Sequence, residues 1–284
     1  MEHSLPVTAL VVEDGGMRGI FSTGALDGFL EHRFDPFTLY VGVSAGATSL
    51  AAFLAEMHGR NRKIYTELST GPEFISMTRF LRGGHLMDLD WLWSATISTM
   101  RLDLPRIYGK NRPFVVGVTD VGTGRTVYKV TSADDLEHVL KASSALPLIY
   151  RGFPLVDGRP MTDGGVSDPI PVAEAIRRGA KRIMVIRSRP RDHQSRRDAL
   201  SYIINWSLRK YTALRSTIEA HDRVYNESVE LIRTPPKGVS MIEICPPDSF
   251  KPGKFSRDAR VLMEGYEQGR AMAGEAIARW ERSL

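Results

Sequence analysis

The uncharged run 36–55 limits what this chain can fold into more than any other stretch does. It is long enough to cross a bilayer. Glycines, serines and a proline interrupt it, however, and its first part is β-branched and aromatic while its second part is rich in Ala and Leu. A strand over 39–43, a tight turn and a buried helix over 45–57 explain this pattern better than one lipid-facing helix.

The same alternation of strand and helix continues along the chain. Apolar β-branched runs predict strands, and amphipathic stretches between them predict helices. The predicted strands are 7–13, 39–43, 113–119, 125–130, a pair near 153–162, 181–189 and 239–245; the predicted helices are 18–32, 45–57, 133–145, 170–179, 195–233 and 256–282. We expect Ser132 and Asp168 to cap two of these helices. The order predicts an α/β fold with helices on both faces of a parallel or mixed sheet, in a single domain over 1–284.

Residues 70–112 break this rhythm. The segment is long and contains Trp91 and Trp93 together with Phe74, Phe80 and Tyr108. A connection of this length and composition suggests a cap over a site or an apolar entrance. Helices that simply complete the core explain it equally well, so both interpretations remain.

The composition is that of an ordinary globular protein. The chain has 284 residues, 42% of them hydrophobic, with a net charge of +5. The basic excess fits a solvated surface or peripheral association with an anionic membrane, for which the arginines around 70–112 are candidates: Arg79, Arg82, Arg101 and Arg106. Lys and Arg are spread out without a recognised motif, so we expect no nucleic-acid partner. A single cysteine and the absence of a recognisable secretory leader predict a cytoplasmic location. The oligomeric state stays open.

Ser44 stands on the turn between the predicted strand and helix, with Gly42 and Gly46 on either side. A serine hydroxyl is a poor nucleophile until it is oriented and its proton is accepted. A tight turn after a strand holds the hydroxyl above the sheet edge, and the glycines permit the backbone contacts that such a turn needs. The N-terminus of the following helix favours negative charge there. Ser44 is therefore the candidate nucleophile.

A second glycine turn, at residues 15–19, also follows a strand and opens a helix. Its backbone N–H groups could form an oxyanion hole, which stabilises the charge that develops on a carbonyl oxygen. A dinucleotide-binding turn would need a glycine where Asp14 stands, and a phosphate-binding loop would need a lysine that the turn around Ser44 lacks.

Asp163 is the candidate base, because it precedes Gly164 and Gly165 in a tight turn after a strand. Burial in such a turn would raise the pKa of a carboxyl group and make it a better base. Asp157, by contrast, stands at an expected hairpin turn. His193 and His221 follow Ser44 and Asp163 in the chain, which leaves a Ser–Asp–His order formally open, but we expect both histidines at the surface. No metal-binding pattern is present, and we expect neither metal nor cofactor.

These blocks resemble, in order, those of the patatin-like phospholipases, in particular their bacterial branch. The matching blocks are Asp14-Gly15-Gly16-Met17-Arg18-Gly19, Gly42-Val43-Ser44-Ala45-Gly46 and Asp163-Gly164-Gly165, within a likeness that extends from about 7 to 190 and more loosely through the C-terminal helices. The resemblance implies a three-layer αβα sandwich and a dyad of Ser44 and Asp163. It also implies an oxyanion hole formed by Gly15, Gly16 and nearby amides of Met17 and Arg18, and a lipid or other acyl ester as substrate.

The chain departs from the family pattern at Asp14, where a third glycine is common. A carboxylate beside the oxyanion hole would oppose the developing negative charge. We therefore expect that its side chain points away, or that the hole is assembled from the next two glycines. Two functions follow: a serine acyl ester hydrolase, or a non-catalytic lipid- or partner-binding protein that retains the fold.

Overall fold

In the described residues, eight strands form one sheet with helices packed on both faces. The structure is a computed structural model that describes residues 6–196, 202–203 and 207–283. The strands are Val7–Val12 (β1), Leu39–Val43 (β2), Phe114–Asp120 (β3), Thr126–Val130 (β4), Leu155–Val156 (β5), Arg159–Asp163 (β6), Ala180–Ile186 (β7) and Ser240–Ile244 (β8). The α-helices are Ile20–Glu31 (α1), Ser44–Leu54 (α2), Arg60–Lys63 (α3), Met77–Leu81 (α4), Leu89–Met100 (α5), Leu104–Gly109 (α6), Leu136–Ser143 (α7), Val172–Arg177 (α8), Thr212–Arg233 (α9), Ala259–Ala271 (α10) and Ala273–Arg282 (α11).

The sheet is mostly parallel. Its order is β5-β6-β3-β2-β1-β7-β8, and β4 pairs with β3 outside this path. The pairs from β3 through β2, β1 and β7 to β8 are parallel, whereas β4 and β6 run antiparallel to β3. The two predicted strands 113–119 and 125–130 thus correspond to β3 and β4, which are direct neighbours in the sheet.

Alternate residues of the strands face two separate cores. In β1, Leu10 and Val12 belong to the core beneath α1, α2 and α7, while Ala9 and Val11 face the core beneath α8 and α9. Because successive strand residues point to opposite faces, both faces of this strand are apolar and both are covered by helices. The predicted three-layer αβα sandwich is confirmed.

Strand β3 aligns the ends of β2 and β6. The last residue of β2, Val43, pairs with Gly117, and the last residue of β6, Asp163, pairs with the next residue of β3, Val118. β2 approaches this point in the same direction as β3, and β6 approaches it from the opposite direction. The residue that follows Val43 is thereby placed beside Asp163.

Several predicted helix boundaries were wrong. Ser132 does not cap a helix: α7 begins four residues later, after Asp135, whose carboxylate accepts the Ser132 N–H at 2.7 Å. Asp168 does not cap α8, which begins at Val172. Its carboxylate instead accepts the hydroxyl of Tyr128. The predicted closing helix is divided at Met272 into α10 and α11, and α9 covers only the second part of 195–233, where some residues lie outside the described ones.

Helix α10 packs closely along α1 because glycines stand at the crossing. A Cβ at Gly24 would lie 2.0 Å from the carbonyl oxygen of Tyr266, and one at Gly269 would lie 2.1 Å from that of Phe21. Real Cβ atoms do not approach backbone oxygens so closely, so no larger residue fits without separating the helices. The contact fixes the C-terminal helices beside the helix that follows the glycine turn.

Within the part of the chain that the structure describes, no helix combines the length and the apolar character that a bilayer crossing requires. The run 36–55 forms β2 and α2, as predicted.

Replacing Gly24 or Gly269 by Ala should lower the free energy of unfolding by about 1–3 kcal/mol, because the added methyl group meets backbone that cannot move independently. Gly274→Ala is the matched control: this helical glycine has nothing within 4 Å of its Cβ position. That variant should gain about 1 kcal/mol from helix propensity. Urea unfolding followed by circular dichroism measures all three, and equal effects would contradict the proposed crossing.

Candidate active site

Ser44 adopts a strained backbone conformation at the end of β2. Its φ is +49°, a value that non-glycine residues rarely adopt, and it is the first residue of α2. A Cβ at Gly46 would lie 2.4 Å from the carbonyl oxygens of Val12 and Glu13, so the first turn of α2 can pack on the end of β1 only with glycine here. The Ser44 N–H donates to Ser143 Oγ at 2.8 Å, and that hydroxyl donates to the Gly117 carbonyl at 2.7 Å. This combination of strain and support is typical of a nucleophile elbow.

The hydroxyl of Ser44 donates to Asp163 Oδ2 at 2.8 Å. The other oxygen, Asp163 Oδ1, accepts the Gly165 N–H at 2.8 Å. Both side chains are buried, with Ser44 6% and Asp163 5% exposed. The structure thus brings together the two residues that the sequence singled out as nucleophile and base, within hydrogen-bonding distance and with little access for water.

Burial raises the pKa of Asp163 to about 7, and the nearby carboxylate of Asp14 contributes in the same direction. The positive charge of Lys254 and the hydrogen bonds from Ser44 and Gly165 oppose this rise. A carboxylate with a pKa near neutrality is a much stronger base than an exposed aspartate. It is ionised, and able to accept a proton, above about pH 7.

The glycine turn has two amides that are free to bind an oxyanion. Gly16 has a φ of +55°, and it begins a short 3₁₀ helix over Gly16–Gly19. The Met17 N–H donates to the Lys254 carbonyl at 3.1 Å and the Arg18 N–H to the Gly15 carbonyl at 3.2 Å. Among the described residues, the amides of Gly15 and Gly16 have no protein acceptor. The expectation that the Met17 and Arg18 amides take part is therefore corrected, because both are already engaged.

The turn is close to Ser44. A Cβ at Gly19 would lie 2.8 Å from that of Ala45, the residue after the nucleophile, and 2.4 Å from the hydroxyl oxygen of Tyr65. Tyr65 belongs to a π-helical segment, Ile64–Leu68, and its hydroxyl donates to the Gly16 carbonyl at 3.3 Å. The absence of a side chain at Gly19 thus lets the turn, α2 and this tyrosine meet.

One of our two expectations was that the Asp14 side chain points away from the oxyanion hole; the structure directs it to the turn that follows Asp163. The Asp14 carboxylate lies against Gly165, with Oδ2 2.4 Å from the position of a Cβ there. It also lines the same cavity as Ser44. The other expectation, a hole built from the next two glycines, agrees with the free amides of Gly15 and Gly16.

Ser44 and Asp163 open onto a mainly apolar cavity. Its empty space, including the open mouth, is about 1120 Å³. Residues 70–112 form much of its wall through Phe74, Leu89, Leu92, Trp93, Thr96 and Ile97. Part of the same segment forms a small core of its own around Phe74 and Tyr150. The segment therefore forms a local core and borders the cavity, and its role as a cap stays a prediction.

The two histidines do not have the expected surface role. His221 is half-buried, and its ring approaches the Val166 carbonyl at 3.4 Å. Burial lowers its pKa. His193 is also half-buried, and its ring packs edge-on against Tyr225. Neither histidine forms a hydrogen bond with Ser44 or Asp163.

Three of the four arginines proposed for a membrane surface are engaged within the protein. Arg79 donates to the backbone carbonyls of 73, 74 and 85, Arg101 pairs with Glu137, and Arg106 pairs with Glu56. Arg82 is exposed. Their contribution to a basic surface is therefore smaller than the sequence suggests.

Sequence reasoning missed three residues of the site. Ser143 connects Ser44 to β3, Tyr65 supports the glycine turn, and Lys254 lines the cavity from a loop beyond β8. Ser143 lies in a stretch of small residues before β6 that could have directed attention to it. Nothing in the local sequence around Lys254 indicates its position. The described residues hold no group of three or more His, Cys, Asp or Glu side chains suited to a metal ion.

The family model described as "Patatin-like phospholipase" matches residues 10–176, which is more than half of the chain and contains the elbow, the glycine turn and Asp163. The chain belongs to the patatin-like phospholipase family. At the level of the family this makes it a lipid hydrolase. A second model, a domain of unknown function (DUF6363), matches residues 211–284.

Similar proteins are themselves largely uncharacterised. The uncharacterised protein YjjU of Escherichia coli is 36% identical over 273 residues, covering 92% of this chain and 74% of its own length. An uncharacterised NTE family protein of Mycobacterium tuberculosis is 26% identical over 181 residues, 60% of this chain and 46% of its own.

Two solved structures are similar in overall shape. VipD from Legionella pneumophila has a TM-score of 0.47 at 12% identity, over 97% of this chain and 67% of its own. Human GIVD cytosolic phospholipase A2, solved with methyl gamma-linolenyl fluorophosphonate, has a TM-score of 0.48 at 11% identity, over 98% and 59%. At these scores neither structure informs the chemistry of this chain.

Asp163→Asn should stabilise the protein at alkaline pH. The folded state raises the pKa of Asp163 from an ordinary 3.8 to about 7, so the ionised carboxylate opposes folding. This cost is absent below about pH 4, grows between pH 4 and 7 and is constant above. At pH 8 the variant should therefore gain up to about 4 kcal/mol, and at pH 4 almost nothing. Thermal unfolding at both pH values measures this gain, and Asp157→Asn, in the exposed hairpin, is the control. If the stability gained by Asp163→Asn did not depend on pH, the burial argument would be wrong.

Proposed function

We propose that the protein is a serine acyl ester hydrolase that releases fatty acid from lipid esters through Ser44 and Asp163. The observation that carries this proposal is the 2.8 Å hydrogen bond from a strained, buried Ser44 hydroxyl to the Asp163 carboxylate, at the wall of an apolar cavity. Membership of the patatin-like phospholipase family supports the same chemistry.

In the acylation step, Ser44 Oγ attacks the ester carbonyl carbon as its proton passes to Asp163. In this proposal, the amides of Gly15 and Gly16 and the N-terminus of α2 stabilise the negative charge that develops on the carbonyl oxygen. When the tetrahedral intermediate collapses, the ester C–O bond breaks and the leaving alcohol takes the proton from Asp163. An acyl-enzyme on Ser44 remains.

Deacylation repeats these steps with water. Asp163 accepts a proton from a water molecule as the water oxygen attacks the acyl carbon. The bond between the acyl carbon and Ser44 Oγ then breaks, Asp163 returns the proton to Ser44, and the free fatty acid is released. No histidine is needed at either stage, which agrees with the absence of a hydrogen bond between His193 or His221 and the pair.

The apolar cavity is suited to the acyl chain. A small number of polar groups at its wall, including Ser44 and Asp163, border a much larger apolar lining contributed by 70–112 and α7. Burial of an acyl chain against such a surface is favourable, by about 0.8 kcal/mol for each methylene group. Segment 70–112 would then act as a cap over the chain. Peripheral association with anionic membranes stays a prediction; net charge supports it, and the engaged arginines weaken it.

Ser44→Ala and Asp163→Asn should each lower kcat/KM for a soluble ester by at least about 10⁴-fold, since an alanine cannot attack and an amide cannot accept the proton. The double variant should lose little more than either single one, because the two residues act as a unit. His193→Ala and His221→Ala should each lose less than about tenfold. If Asp163→Asn kept most of its activity while a histidine variant lost it, a Ser–His–Asp hydrolase would replace this proposal.

The non-catalytic alternative is motivated by the Asp14 carboxylate in the cavity. A fluorophosphonate probe that reacts with activated serines distinguishes the two functions. Labelling of the wild type that is lost in Ser44→Ala supports the hydrolase. Absence of labelling together with absence of ester turnover supports a binding protein.

Thr96→Phe should shorten the acyl chain that the enzyme accepts. Thr96 is buried on α5, lines the cavity and has its hydroxyl bonded only to the carbonyl of Trp93 in its own helix. A phenyl group there occupies space for several methylene groups, so the ratio of kcat/KM for dodecanoate over butyrate esters should fall about tenfold or more. Ser98→Ala, on the exposed side of the same helix, should leave the ratio unchanged. An equal loss for both esters would place the acyl chain elsewhere.

A further inference from the structure

A second cavity lies behind the dyad and shares a wall with the first. Its empty space is about 470 Å³, and it is bordered by Gly165 and Val166, which follow Asp163, and by His221 on α9. Asp14 and Lys254 line both cavities. Two oppositely charged side chains thus separate the two spaces, immediately beside the proposed base.

The Asp14 carboxylate is buried without a partner. It is 9% exposed, and among the described residues it has neither a hydrogen bond nor an ion pair. It packs against Gly165, and the Gly165 N–H donates to Asp163 Oδ1. Two carboxylates therefore flank one backbone amide. Buried carboxylates in such proximity cannot both ionise without cost.

Lys254 reaches the same place from the loop between β8 and α10. Its carbonyl accepts the Met17 N–H at 3.1 Å, and its Cγ lies 3.1 Å from the position of a Cβ at Gly16. Burial lowers the pKa of its amino group, whereas the carboxylates of Asp14 and Asp163 act in the opposite direction and favour its charged form. Among the described residues this amino group forms no ion pair, so the glycine turn positions an amino group without a directly bound carboxylate.

We propose that Asp14 and Lys254 are a pair of positioning residues that act in opposite directions on Asp163 and thereby set the pH range in which it can accept the Ser44 proton. This inference rests on the proposed function of Ser44 and Asp163. Asp14 favours the protonated form of Asp163, and Lys254 favours the ionised form. Because both groups lie within a poorly hydrated site, salt screens their effect only weakly.

The other groups around Asp163 do not provide this control. Ser44 and the Gly165 N–H are hydrogen-bonded to it and stabilise its ionised form. Arg18 interacts electrostatically with Asp14 and Lys254, and Arg189 acts on Arg18 and Lys254. His221 borders the second cavity, which Asp14 also lines. Burial lowers the pKa of His221 and thereby favours its neutral ring. Asp14 and Lys254 are thus the charged groups that act directly on the base.

The Asp14 carboxylate makes Asp163 a stronger base than it would be with a glycine at position 14. A raised proton affinity of Asp163 favours removal of the Ser44 proton but requires a higher pH before the carboxylate is ionised. The departure from the family pattern at Asp14 is then an adjustment of the dyad and not a loss of the oxyanion hole.

The pH dependence of kcat/KM for a soluble ester, measured between pH 5 and 9, separates these effects. Asp14→Asn should move the acidic limb to lower pH by about one unit, and Lys254→Met should move it to higher pH. His221→Gln, in the same second cavity, should leave the limb in place. If the two residues had a purely structural role, both variants would have a lower rate, but their acidic limbs would not move in opposite directions.

Ser44→Ala supplies the baseline. If its activity equals that of the wild type, the proposed function is wrong, and the profiles do not report on Asp163. If activity depends on Ser44 but the limb moves in neither charge variant, or in the same direction in both, the inference about Asp14 and Lys254 is wrong on its own. Should Asp14→Asn fold poorly, Asp14→Gly restores the residue common in the family and must shift the limb in the same direction.

Discussion

The meeting of two strand ends along β3 is the constraint on which this site depends. β2 ends opposite Gly117, β6 ends opposite Val118, and the two strands approach from opposite directions. A Cβ at Gly164 would lie 2.1 Å from the Gly117 carbonyl oxygen, so the turn after Asp163 can close against β3 only with glycine there. A slip of one residue in either pairing would turn Ser44 and Asp163 to opposite faces of the sheet. The backbone register thus sets the distance between nucleophile and base.

Burial of Asp163 lowers the stability of the folded protein at neutral and alkaline pH. Burial raises the pKa of Asp163 to about 7 and makes its ionised carboxylate unfavourable in the folded protein. The hydrogen bonds from Ser44 and Gly165 recover part of that energy. The strained φ of Ser44 is held in the same way, by the bond from its amide to Ser143. The site stores free energy that the surrounding sheet and helices must supply.

The C-terminal part of the chain contributes directly to this site, although it lies outside the residues that match the patatin-like model. Lys254 engages the Met17 amide and leaves those of Gly15 and Gly16 free. The glycine crossing between α1 and α10 holds the C-terminal helices against the helix that follows the glycine turn. β8 extends the sheet beside β7. Residues 211–284 therefore provide a backbone acceptor for the glycine turn and hold the helix that follows it.

What the sequence could predict, and what it could not, follows from the range of each interaction. The elbow at Ser44, the glycine turn and the αβα layers rest on short-range patterns of apolar residues and glycines, and these were predictable. The cap at Asp168 was wrong because a distant residue, Tyr128, donates to its carboxylate. The cap at Ser132 was wrong because α7 begins only after Asp135, whose carboxylate accepts the Ser132 N–H. The orientation of Asp14 and the approach of Lys254 depend on packing between segments about 240 residues apart. No local rule contains that packing, so the charges that adjust a dyad are the part of such a site that only the folded structure reveals.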